Sequence, residues 1–222
     1  MLKRLSLLDR AVVAADRALR AATSAERRTV GGSRPEGRHR PPPGPPAESC
    51  PLAAADRERS VRLMRVNHAG EVAAQALYLG QAAVARDEST RSALLNAGAE
   101  ERDHLDWCEA RLRELGGSTS LLSPLWYAGS LAIGATAGLT GDRWSLGFVA
   151  ETERQVEEHL TEHLARLPAA DARSRAILEQ MQADEMRHGE AAMQAGGAPL
   201  PTPVRSVMTQ VARVMTRTAY WF

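Results

Sequence analysis

The arrangement that most constrains this chain is a duplicated one: a lone glutamate, a gap of about one helical hairpin, then Glu-x-x-His. Glu71 is followed 30 residues later by Glu101-Arg-Asp-His104, and Glu153 is followed 32 residues later by Glu185-Met-Arg-His188. On a helix, positions i and i+3 share a face, so each Glu-x-x-His can aim a carboxylate and an imidazole at one point. At ~1.5 Å rise per residue, the gaps suit two antiparallel helices joined by a turn, with both ligands near mid-height. One glutamate from each of two helices and a Glu-x-x-His from each of the other two is the ligand inventory of a di-iron or di-manganese centre in a four-helix bundle.

Glu-x-x-His alone carries little weight. Glu36-Gly-Arg-His39 also matches it, inside a Pro/Arg/Gly-rich stretch unable to hold a helix. Repetition, helical context and the matched upstream glutamates single out the other two. The six candidate ligands are Glu71, Glu101, His104, Glu153, Glu185 and His188. Glu100 and Asp184 are rivals of Glu101 and Glu185 but lack a histidine at i+3. Periodicity does not choose cleanly among Glu151, Glu153, Glu157 and Glu158; the spacing match favours Glu153, and Glu151 stays open. Asp103 and Asp184 are candidates to orient the imidazoles, against a slightly favoured reading as solvent-facing charge. His68 and Tyr78, at i−3 and i+7 from Glu71, are expected on the same interior face. Gly70, costly in a helix, invites a close backbone approach beside the metal. His159 and His163 are spaced i, i+4 but have no third ligand nearby, which favours a surface or supporting role.

The remaining sequence predicts an all-α chain. Aromatics are only 4% of residues while Ala, Leu and Arg abound, favouring helix over strand. Helices are expected from about Ala55 to Ala85, from Ser89 or Thr90 to Gly116-Gly117, from Asp142 (a candidate N-cap) to just before Pro168, from Ala170 to Ala195, and from Pro203 to the end. Residues 3–22 carry a short amphipathic pattern, and the run Arg40-Pro-Pro-Pro-Gly-Pro-Pro within 30–51 predicts an extended, mobile linker. Two domains of unequal weight follow: a basic N-terminal extension over 1–54 and a helical domain over 55–222. Cys50 and Cys108 provide no disulfide framework, which fits a reducing compartment, and Met1–Arg20 does not read as a cleavable signal.

Charge is unevenly placed. Residues 1–50 hold ten Lys/Arg against five Asp/Glu, and residues 200–222 hold three Arg and no acid, leaving the middle strongly acidic in a chain of net charge +1. Basic ends on an acidic bundle fit an anionic membrane surface and argue against nucleic acid as a partner. Between Gly116 and Gly141 no residue is charged. That run is too short and Gly-punctuated for a span, which needs roughly 20 apolar residues, and predicts an interfacial helix. The end of the chain, with Val207, Val211, Val214 and Tyr220-Trp221-Phe222 among arginines, predicts a second membrane-surface segment. No Walker loop, nucleophile motif or dinucleotide fingerprint is present.

Arg65-Val-Asn-His-Ala-Gly-Glu71, Glu101-Arg-Asp-His104-Leu, Pro124-Leu-Trp126, the Glu153 helix and Asp184-Glu-Met-Arg-His188, in this order, resemble the demethoxyubiquinone hydroxylase family of ubiquinone biosynthesis. The resemblance covers about Ser60 to Phe222 and falls on the same six residues. It departs from the family where Asn67 replaces an Asp found in some members and where helix three reads Ala150-Glu-Thr-Glu153. It implies a ferritin-like bundle with a long apolar crossover and an extra C-terminal helix, two ferrous ions, and O2 as co-substrate. It also implies hydroxylation of a polyprenylated demethoxy-benzoquinol by a peripheral enzyme on the cytoplasmic face of the cell membrane. Electrons are left to the quinol or NADH, and a homo-oligomer or a helper protein is compatible. The competing expectations are an iron-storage or peroxide-scavenging bundle, which would lack apolar appendages, and a helical scaffold that binds no iron.

Overall fold

The computed structural model describes residues 40–45 and 52–222, with Pro41–Phe222 as one compact unit. The amphipathic pattern at 3–22, Cys50, the Glu36–His39 match and most of the predicted linker lie outside the described residues. Every regular element among the described residues is a helix: α1 Ala54–Val84, α2 Glu88–Glu114, α3 Ser123–Leu139, α4 Asp142–Arg166, α5 Ala172–Gln194 and α6 Thr202–Trp221.

The helix ends follow local chemistry. At the end of α2, Gly116 takes φ +70°, Gly116 N–H donates to the Arg113 carbonyl and Gly117 N–H to that of Leu112. α5 ends the same way at Gly196 (φ +103°), with Gly197 N–H donating to the Ala192 carbonyl. Both are Schellman stops, which need a left-handed residue that glycine adopts without a Cβ clash. Asp171 caps α5 by accepting from Ser174 N–H at 2.9 Å. Asp142 does not cap its own helix as expected. Gly141 holds the cap position, and the Asp142 carboxylate accepts the backbone N–H groups of Arg86 and Asp87, satisfying the turn after α1.

Four helices, α1, α2, α4 and α5, form the bundle, and two apolar clusters set their directions. One contains Leu63, Met64, Trp107, Cys108, Leu112, Leu160, Ile177, Leu178 and Met181. The other contains Ala74, Tyr78, Ala82, Leu94, Val149 and Ala192. Chain order runs from the first cluster to the second in α1 and α5, and from the second to the first in α2 and α4. Helices α2 and α4 therefore run the same way, so the chain must travel back along the bundle between them.

Helix α3 lies within that return and packs along α1. Its approach is set by glycine. A Cβ on Gly134 would sit 2.2 Å from the Leu77 carbonyl oxygen, and one on Gly80 would sit 2.3 Å from that of Leu131. The Gly134-x-x-x-Gly138 face is buried, while Leu125, Ile133 and Leu139 on the same helix are exposed. Helix α6 crosses α1 and α4 at the outside. The Phe222 carbonyl accepts from Leu121 N–H at 3.0 Å and from Ser120 Oγ at 2.6 Å, pinning the chain end to the start of the crossover. The described part of the Pro-rich run lies against the start of α5. Arg173 Nη1 donates to the carbonyls of Pro43, Gly44 and Pro45 at 2.9–3.3 Å.

Candidate metal centre

In each bundle helix the candidate ligands fall between residues of the two apolar clusters: Glu71 in α1, Glu101 and His104 in α2, Glu153 in α4, Glu185 and His188 in α5. The site is thus a polar layer closed above and below by hydrocarbon. All four glutamates are at most 3% exposed and His104 is fully buried. Two groups of donor atoms, each within 4.8 Å of one another, are Glu71, Glu101, His104 and Glu185, and Glu101, Glu153, Glu185 and His188. The structure brings all six candidates together, and Glu101 and Glu185 are common to both groups.

The atomic contacts explain the sharing. Glu101 Oε2 lies 2.8 Å from His104 Nδ1, and its Oε1 lies 2.9 Å from His188 Nδ1. Glu185 Oε1 lies 3.2 Å from His104 Nδ1, and its Oε2 lies 3.5 Å from His188 Nδ1. Of the two imidazoles, Glu71 Oε2 is paired with His104, whose Nδ1 lies 3.8 Å away. Two carboxylates therefore span two positions, and Glu71 and Glu153 each close one of them.

The outer ring nitrogens are held from across the bundle. His104 Nε2–H donates to Asp184 Oδ2 at 3.0 Å, and His188 Nε2–H donates to Glu100 Oε2 at 2.9 Å. This fixes both tautomers with Nδ1 facing inward. Asp184 is fully enclosed, against the slightly favoured expectation of solvent-facing charge, and Asp103 is buried too. The sequence marks Glu100 only as a rival ligand. The signal that points to its actual place is the acid immediately before each shared glutamate, Glu100-Glu101 and Asp184-Glu185.

Other expectations are revised. Glu151 does not join the cluster; both its oxygens accept from Arg154, at 2.7 and 3.0 Å. A Cβ added at Gly70 would meet nothing within 4 Å, so no close approach accounts for this glycine. His163 is buried rather than superficial, its Nδ1 2.9 Å from Asn67 Oδ1 and its ring 3.8 Å from that of His159. Neither His159 nor His163 belongs to the donor groups, and His68 does not either. Tyr78 packs in the second apolar cluster.

The donor set fits a pair of divalent cations. Glu71 Oε2, Glu101 Oε1, Glu153 Oε1, Glu185 Oε2 and His188 Nδ1 are buried with no hydrogen bond completed. Leaving such atoms unpaired is costly, and several aimed at one small space are satisfied together by cations. Charge agrees: four carboxylates with neutral imidazoles balance two dications, so the buried layer is neutral when filled. Without cations the same neutrality is reached with protons. Burial, reinforced by neighbouring carboxylates, pushes Glu71 and Glu153 well above the usual carboxylate range. Burial opposes charge on His188, but Glu101 and Glu185 beside it push its imidazole up to about 11. His104 is likewise raised against its burial, chiefly by Asp184 and Glu101. Oxygen and nitrogen donors of this kind suit iron or manganese.

Comparison with known proteins decides the family. The family model for ubiquinone biosynthesis protein COQ7 matches residues 58–221. The chain belongs to the COQ7 family. The chain is 53% identical over 217 residues to the 3-demethoxyubiquinol 3-hydroxylase of Polynucleobacter necessarius, covering 97% of this chain and 99% of that protein. It is 55% identical over 217 residues to the enzyme of that name from Xanthomonas campestris pv. campestris strain 8004, covering 98% and 95%. The Azoarcus sp. strain BH72 enzyme is 53% identical over 214 residues, covering 96% and 99%. Likeness to these COQ7 relatives reaches beyond Ser60 into the basic N-terminal stretch. As a member of this family the chain is an oxidoreductase.

Proposed function

We propose that this protein is a di-iron monooxygenase that hydroxylates the ring of 3-demethoxyubiquinol, using O2, while seated on the cytoplasmic face of the cell membrane. The observation that carries the reading is the pair of donor groups sharing Glu101 and Glu185 in a sealed polar layer. Glu71 and His104 would hold one ion and Glu153 and His188 the other, with Glu101 and Glu185 available to both. Two ferrous ions bound there would supply activation of dioxygen for transfer of one oxygen atom to the quinol ring. The protein's own side chains do the rest. Asp184 and Glu100 fix the imidazoles, and Trp107, Met181, Leu63 and Met64 keep bulk water from one side of the layer. Names of relatives that act on 3-demethoxyubiquinol supply the substrate.

Membrane seating is supported by the outer helices. No described helix is long and apolar enough to cross a bilayer. Helix α6 exposes Val204, Val207, Val211 and Val214 along one stripe, followed by Trp221 and Phe222, and carries Arg205, Arg213 and Arg217 without an acid. Such a helix lies in the interface, its arginines meeting anionic headgroups. Beside its start, Ile133, Ala137, Trp144, Phe148, Leu200 and Val204 line an open apolar groove of about 590 Å³, suited to a prenyl tail. An iron-storage bundle would have no use for these exposed apolar faces.

The test pairs metal analysis with turnover. Anaerobically loaded protein should hold two irons per chain and hydroxylate demethoxyubiquinol only with O2 and a reductant present. Iron uptake without hydroxylation would favour the storage reading, and absence of iron uptake would overturn the metal centre itself.

A further inference from the structure

The two outer carboxylates form a reciprocal pair. The residue before Glu101 on α2 serves His188 of α5, and the residue before Glu185 on α5 serves His104 of α2. Their surroundings break the symmetry. The Asp184 side chain is 1% exposed and is further bound by Gln180 Nε2 at 3.0 Å and by Arg187. The Glu100 side chain is 46% exposed. His104 is fully enclosed, whereas the His188 side chain is 9% exposed. One imidazole is thus held by an anchored acid inside the bundle, the other by an acid standing half in water. A half-solvated carboxylate gives up its hydrogen bond to water at little cost, and an imidazole freed at its outer nitrogen can turn away from a ligand position.

We propose that Glu100 is a positioning residue for His188, and that the metal position built by Glu153 and His188 is for this reason the exchanging one of the pair. Ions enter and leave there; the Glu71–His104 position retains its ion. The inference rests on the di-iron reading above but makes a separate demand, inequivalence of the two positions controlled by one residue that is not itself a ligand.

The experiment follows ferrous iron leaving the anaerobically loaded full-length protein into excess ferrous chelator, read by absorbance. The unsubstituted protein should release iron in two phases of similar amplitude. Glu153→Gln should abolish the fast phase. Glu100→Ala should speed the fast phase roughly tenfold, the usual cost of losing a carboxylate behind a ligating histidine, with the slow phase unmoved. Glu100→Gln, which keeps an acceptor for His188 Nε2–H, should restore most of the original rate. Single-phase release, loss of the slow phase in Glu153→Gln, equal acceleration of both phases, or no effect of Glu100→Ala would each overturn the proposal. Two irons released indifferently to residue 100 would sink this inference and leave the metal centre standing; a protein that takes up no iron would sink the metal centre instead.

Discussion

Glu101 and Glu185 face each other across the bundle, and each sends one oxygen toward His104 and the other toward His188, at 2.8–3.5 Å. Each of these two helices thus contributes to both donor groups, whereas α1 and α4 contribute to one apiece. Loss of a shared carboxylate should therefore differ from loss of a terminal one. Glu185→Ala is expected to hold almost no iron and to lose activity by at least about 100-fold, the upper range for disturbing a metal site's ligand shell. Glu153→Ala should retain close to half the iron, held at the Glu71–His104 position. Iron quantification per chain checks both; equal loss in the two variants would contradict the bridging arrangement.

Filling the site should expel protons. A metal-free layer keeps neutral by protonating Glu71, Glu153 and both imidazoles, all of which are raised from their ordinary values. Two dications replace those protons, so uptake near neutral pH should release up to about four per chain. Groups with raised values stay protonated to higher pH and compete with the metal wherever they are protonated, so metal affinity must fall in acid and rise toward alkaline pH. An indicator dye in weakly buffered solution, titrated with ferrous or manganous ion, measures the release. Uptake with no proton release would contradict the charge balance.

The four helices that carry the candidate donors are legible in the sequence because Glu-x-x-His is meaningful only at helical phase, and because glycine and proline mark most of the helix ends. Glu153 is not cleanly separable from Glu151 by helical periodicity, and the match to the Glu71–Glu101 gap is what favours it. The two are two residues apart, on different sides of one helix, and what distinguishes them is Arg154, which takes both oxygens of Glu151. The role of Glu100 is hidden in the sequence because its partner, His188, is 88 residues away. No local rule pairs residues across that distance. The uncharged run reads as an interfacial segment, and that captures only one side of α3. Gly134 and Gly138 serve contact with α1 while Leu125, Ile133 and Leu139 face outward, a division that depends on which helix lies alongside.

The α1–α3 contact should tolerate no added methyl group. A Cβ on Gly134 would meet the backbone of Leu77, which cannot rotate away as a side chain would. Gly134→Ala is expected to lower stability by about 1–3 kcal/mol or more, the range for overpacking. Gly129→Ala, on the same helix with nothing within 4 Å, should instead be neutral or stabilise by roughly 0.5–1 kcal/mol through helix propensity. Denaturant melts of the two variants provide the comparison. Similar behaviour would mean that α3 does not depend on glycine for its seat.

A buried ion pair ties α2 to the start of α5. Arg111 Nη2 donates to Asp171 Oδ1 at 2.7 Å, both side chains being at most 1% exposed, and Arg111 Nε donates to Ser174 Oγ at 2.9 Å. Arg111 Nη1 has a second partner, Glu114 Oε2 at 3.0 Å, so losing Asp171 leaves the buried guanidinium only partly compensated. Asp171→Ala, which also deletes the α5 cap, is expected to cost about 2–4 kcal/mol, a charged hydrogen bond plus a cap. The double variant Arg111→Met/Asp171→Leu should recover much of that loss, since no charge is then left buried. Urea midpoints measure both, and a double variant no more stable than Asp171→Ala would show that the cap, not the charge, dominates.

The outer stripe of α6 should govern attachment to lipid without touching the iron. Val207, Val211 and Val214 are 46–63% exposed, and no residue of their helix belongs to the donor groups. Burying one such side chain in lipid contributes about 1.5–3 kcal/mol at most, so replacing all three with Asn should weaken partitioning onto vesicles by more than tenfold. Arg205, Arg213 and Arg217 make a second contribution that salt screens, so binding to vesicles containing anionic phospholipid should fall as ionic strength rises. Sedimentation with vesicles of neutral and of anionic composition separates the two contributions, and iron per chain serves as the control for folding. Unchanged sedimentation of the triple variant, with iron intact, would remove α6 from the attachment surface and leave the outward leucines of α3 to carry it.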